Sequence, residues 1–226
     1  VSIELLSLSA VSLGFLHGLG GDHLMAIAAL AVRRSPGSSG KTVVRTAVGF
    51  ACGHALVLGA GAIMAVALGV VVPGSVSAGA EKLGGVLLVG LGSVGLWGLL
   101  SGHAYGHMHS DGAPPSRWHL HMGSVHPAGG HTASPVPAAL GAIFAVSSLR
   151  ALMLLQPFGA DARGLSLPSL LLLILLFGLG ILASMSAFGL LLARVLSIRT
   201  VERFGRAAAG LVAAGSILLG VYWVVA

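Results

Sequence analysis

Four side chains in the first quarter of the chain have the types and spacing to hold a transition metal. His17-Gly18-Leu19-Gly20-Gly21-Asp22-His23 brings two imidazoles and a carboxylate into seven residues, and Gly49-Phe50-Ala51-Cys52-Gly53-His54 adds a third imidazole. Three imidazoles and one carboxylate are borderline ligands that suit Ni(II), Co(II), Zn(II) or Cu(II), whereas Ca(II) and Mg(II) prefer all-oxygen shells. The set names a transition metal and does not rank these ions. On an unbroken helix, Asp22 would point about 140° and His23 about 240° away from His17, so the three side chains would splay around the axis. Three glycines lie between the two histidines, where helix propensity is poor and left-handed or extended backbone costs little. The spacing therefore predicts a helix broken around residues 18–21 that turns the imidazoles and the carboxylate toward one point.

The surroundings of these residues are apolar. Of 226 residues only twelve are Lys or Arg and six Asp or Glu, 8% charged, against roughly 25% in a soluble domain. With 56% hydrophobic residues and 35 glycines, the composition excludes a disordered chain, a disulfide scaffold and a nucleic-acid-binding domain, and implies a polytopic membrane protein. Cys52, the only cysteine, can form neither an intramolecular bridge nor a multi-thiolate site, and reads as a small core residue. A carboxylate at membrane depth costs several kcal/mol unless paired, roughly, and intramembrane ionisable groups are functional by default. A single buried histidine bonded to a carbonyl would be ordinary; three with an aspartate are not.

Apolar windows give six transmembrane helices, near 2–31, 44–72, 82–101, 136–157, 167–195 and 205–226. The first is longer than a straight crossing needs and is expected to tilt, break or protrude. Its Glu4 and lack of a basic leader argue against a signal peptide. Basic residues cluster in alternate connections: Arg33, Arg34, Lys41 and Arg45, then Arg117, then Arg194, Arg199, Arg203 and Arg206, against Lys82 and Arg163 in the others. By the positive-inside rule, both termini face outward across a cell (inner) membrane and the connection 102–135 is cytoplasmic. Glu81-Lys82-Leu83-Gly84 and Glu202-Arg203-Phe204-Gly205 look like matching openings of the third and sixth helices. Phe50-Ala51-Cys52-Gly53 likewise has a looser counterpart in Phe177-Gly178-Leu179-Gly180. The expected fold is therefore all-α, two inverted three-helix repeats over 1–101 and 136–226, joined by 102–135.

His17-x4-Asp22-His23 in an early helix, followed by Gly-Phe-x-x-Gly-His at Gly49 to His54 in the next, resembles the paired signatures of the nickel/cobalt transporter family. The likeness covers about a third of the chain. It implies membrane transport of Ni(II) or Co(II), as substrate and with no organic cofactor, using His17, Asp22, His23 and His54 as selectivity and transport ligands. Six spans with a His-rich cytoplasmic loop look more like the shorter branch, with its nickel/cobalt exporters and urease-accessory-type permeases, than like the eight-span uptake permeases. The six-helix inverted repeat is also similar to the lysine-exporter superfamily.

The connection 102–135 holds seven of the ten histidines, His103, His107, His109, His119, His121, His126 and His131, among Pro, Gly and Ser. Nothing in it can pack a core, so it reads as a mobile segment, either a low-selectivity metal reservoir or sensor, or a plain linker. Arg150 is open between neutralising Asp22 and snorkelling to the outer interface. Ser184 and Ser186 offer hydroxyls either to the pathway or to the helix bundle. A metal-dependent membrane enzyme is the main rival: His103 and His107 fit an HxxxH box, but no HxxHH follows and no HExxH occurs. An accessory subunit that hands metal to an enzyme is the other. No GxxxxGK[ST] loop is present, so transport would run on a gradient or on a separate energising partner or metallochaperone.

Overall fold

The computed structural model describes residues 2–33, 40–68, 73–101, 104–109, 117–122, 134–149, 166–196 and 205–226. Among them are seven helices: α1 (Ile3–Gly18), α2 (Gly21–Arg33), α3 (Gly40–Leu68), α4 (Gly74–Leu100), α5 (Val136–Ser147), α6 (Leu167–Leu196) and α7 (Gly205–Val225). Helices α3, α4, α6 and α7 are each long and apolar enough to cross a bilayer. The pair α1 and α2 is apolar enough to cross when taken together, bent by 54° at a short break, as a broken span or a re-entrant pair. The chain is a multi-pass helical membrane protein.

Packing inverts the soluble pattern. On α6, Leu171, Leu172, Leu175, Leu179, Leu190 and Leu191 face outward, while Gly180, Ser184 and Gly189 are buried. Lipid tails solvate leucine as well as a core does, so helices gain by bringing small residues together. α4 packs on α7, α1 on α6, and α3 on both α5 and α6. At α3/α5, a Cβ on Gly53 would overlap the Ala138 carbonyl and one on Gly141 would overlap Phe50 backbone. At α1/α6, a Cβ on Gly180 would overlap Val11 backbone and one on Gly14 would overlap that of Phe177. The two seams are built alike: Phe50 and Phe177, Gly53 and Gly180, Val11 and Ala138, and Gly14 and Gly141 are each 127 positions apart. Phe50, Phe144, Phe177, Ile181 and Met185 fill the core between these seams.

Several expectations change. The third crossing begins at Gly74, not near 82: extended Pro73 ends the preceding segment, and Ser77 Oγ donates to Gly74 O at 2.9 Å in the first turn. Glu81 and Lys82 thus lie inside α4 rather than at its start, and the partner sequence 202–204 lies outside the described residues. The fourth helix ends at Ser147. Twelve residues rise about 18 Å, short of the roughly 30 Å core of a bilayer, and 150–165, with Arg150, lie outside the described residues. Cys52 is exposed rather than buried. The inward face of α3 runs through Ala47, Phe50, Ala51, His54 and Leu58, and helical geometry turns position 52 away from it.

The connection 102–135 is also not featureless. β1 (Ala104–His109) and β2 (Arg117–Met122) pair antiparallel, with Tyr105 opposite His121, His107 opposite His119 and His109 opposite Arg117. The membrane-embedded part is all-α; the chain as a whole carries this one ribbon among its described residues.

Candidate metal centre

The break in the first crossing is two residues long. α1 closes with Leu19 N–H donating to Leu16 O at 3.2 Å and Gly20 N–H to His17 O at 2.9 Å. α2 restarts at Gly21, and Leu24 N–H donates to Gly20 O at 3.1 Å. None of Gly18, Gly20 and Gly21 has a left-handed φ, so these glycines act through size. A Cβ on Gly18 would overlap the Ser184 hydroxyl, and one on Gly20 would fall 2.7 Å from Asp22 Oδ1. The first allows α1 to lie against α6, and the second leaves room for the Asp22 carboxylate to fold back over the turn. Asp22 in the first turn of α2 also meets the positive end of that helix.

The bend brings together what a straight helix would scatter. His17 Nε2 lies 3.3 Å from His54 Nε2 and 3.3 Å from His23 Nε2, and the donor atoms of all three lie within 4.8 Å of one another. Two metal–nitrogen bonds of about 2.0–2.1 Å at a tetrahedral angle span roughly 3.3–3.4 Å, so two of the three separations already suit one shared ion. His23 and His54 are fully buried and His17 is half-buried. Aromatic neighbours set the ring planes: His54 stacks on Phe50 with centroids 6.2 Å apart, and His17 on Phe177 at 6.0 Å.

Asp22 stands outside the convergent trio. Its Oδ2 lies 2.9 Å from His23 Nδ1, on the side of the ring away from Nε2, in an ion contact that does not follow the N–H direction. A carboxylate there favours a proton on Nδ1 and leaves a lone pair on Nε2, the usual arrangement behind a metal-bound imidazole. His54 Nδ1 is buried with no hydrogen-bond partner among the described residues.

One polar group beside the trio was not anticipated. Ser148, buried just past the end of α5, has its Oγ 3.3 Å from His23 Nε2. Ser184, by contrast, donates to Ile181 O at 3.0 Å within its own helix and stays in the bundle. The arrangement can bind one divalent cation through neutral nitrogens, with a carboxylate behind one of them supplying charge. No protein-family model matches the chain, and no curated protein or solved structure is detectably similar to it.

Proposed function

We propose that the chain is a carrier for a divalent transition metal, Ni(II) or Co(II) first among them, with no enzymatic step. One observation carries the reading: three imidazole Nε2 atoms, from both arms of a broken crossing and from the next helix, converge inside an apolar bundle. Broken helices at membrane depth are tolerated where they line a cavity or an ion site, and bent crossings of this kind are a recurrent part of secondary transporters. Imidazole donors select for a transition metal over Mg(II) or Ca(II); the preference for Ni(II) or Co(II) rests on the resemblance of the two motifs. His17, His23 and His54 are the ligands of this reading, and Asp22 is the group that orients and charges His23.

The equal spacing of the α3/α5 and α1/α6 seams supports two inverted three-helix units, with α5 as the start of the fourth crossing. Alternating access then moves one unit against the other around the ion. The basic clusters favour a cytoplasmic face for the connection that holds the β-ribbon, where its histidines would meet ions entering or leaving.

The test is flux by the purified protein in liposomes that trap a metal-sensitive dye. Ni(II)- or Co(II)-dependent quenching without any partner is the expected result. Binding without flux would replace the carrier by an accessory subunit that hands metal on, and absence of binding would end the metal reading. Within the same system, Asp22→Asn is expected to weaken metal affinity by about 10–100-fold, the usual effect of losing the partner behind a liganding histidine. Titration calorimetry on the detergent-solubilised protein measures it, and unchanged affinity would remove Asp22 from the centre.

A further inference from the structure

We infer that Ser148 supplies the fourth ligand of the His17, His23 and His54 centre, so that the ion is held by both halves of the protein. The inference rests on the carrier reading above and adds a residue to it. The three imidazoles all come from α1, α2 and α3. A four-coordinate ion held by three side chains has one position left. Among the described residues, the polar side-chain atom that meets the trio from the other half is Ser148 Oγ. Its 3.3 Å distance to His23 Nε2 equals the His17–His54 and His17–His23 nitrogen separations, so it stands at the spacing of a neighbouring ligand.

Proton positions point the same way. The Ser148 hydroxyl has one hydrogen, and Phe144 O at 3.2 Å and His23 Nε2 at 3.3 Å both lie within its reach. Asp22 beside His23 Nδ1 favours the tautomer with a bare Nε2. With the hydroxyl donated to Phe144 O, an oxygen lone pair faces that bare nitrogen, and a cation between them would be held by both. A neutral hydroxyl is a weaker ligand for these ions than imidazole. It is therefore the bond that breaks first when α5 moves, leaving the ion on three histidines with one position open to water.

The test uses full-length protein purified in detergent, with Cys52→Ala as background so that residue 148 can be the only thiol, and Co(II) as the probe. Ser148→Cys is expected to add a near-ultraviolet sulfur-to-cobalt charge-transfer band to the visible spectrum of the bound ion. Ser148→Ala is expected to weaken Co(II) binding about tenfold, the low end of what loss of a supporting group costs a metal site, and Ser148→Thr to restore it. Co(II) bound by Ser148→Cys with no thiolate band and unaltered affinity in Ser148→Ala would overturn the role of Ser148 while leaving the three histidines in place. No Co(II) bound by the Cys52→Ala background would overturn both.

Discussion

Replacing His54 by leucine is expected to reduce metal flux in proteoliposomes to at most about one hundredth, while the ion-free protein unfolds at the same temperature or slightly higher. The loss follows from the geometry: His54 Nε2 lies 3.3 Å from the central His17 nitrogen, and without it two imidazoles remain. Removing even an outer partner of a liganding histidine costs roughly 10–100-fold in affinity, so removing a ligand costs at least the upper figure. The gain in stability has a separate cause. His54 is fully buried and its Nδ1 has no hydrogen-bond partner among the described residues, a penalty of about 1–3 kcal/mol that leucine does not carry. Thermal unfolding in detergent, run beside the flux assay, separates the two effects. A variant that keeps its flux would show that the imidazole convergence is structural; one that unfolds would show that His54 is part of the core.

Gly53→Ala is expected to cost about 1–3 kcal/mol of stability and to stop transport, although alanine is the better helix former by about 1 kcal/mol. A methyl group at Gly53 would overlap the Ala138 carbonyl, which is backbone and cannot rotate away. α3 and α5 must separate, and with them His54, one residue on, and Ser148, at the end of α5. Gly178→Ala is the matched control on α6. A Cβ there meets nothing within 4 Å, so propensity alone should act, leaving stability unchanged or raised by up to about 1 kcal/mol. Denaturant titration in mixed micelles measures both. Equal effects of the two substitutions would mean that the seam yields to a methyl group and does not fix the site.

The convergence of the three imidazoles was legible because its signals are local. Three glycines between His17 and His23 marked a break, and the break falls at Leu19 and Gly20 as the spacing predicts. None of these glycines takes the left-handed backbone, one of the two conformations expected of them, and Gly18 and Gly20 also leave room that a Cβ would fill. Asp22, read with the imidazoles, has its Oδ2 2.9 Å from His23 Nδ1, and sequence spacing does not separate a ligand from a group behind one. Ser148 was missed because a serine after an apolar run carries no pattern of its own; only the packing of α5 brings it to His23. The start of α4 was set too late because Glu81 and Lys82 looked like interface residues, whereas Pro73 decides where the helix begins. The β-ribbon escaped notice because its segment was read by composition, which carries no strand register.

His17 ends one arm of the 54° joint in the first crossing, and His23 begins the other. On the proposed carrier reading, a cation gripped by both would be a clasp across that joint, with angle and grip thermodynamically reciprocal: opening the joint weakens the grip, and the grip resists opening. A thinner or thicker bilayer that presses the crossing toward a different tilt therefore also tunes how firmly the cation is held.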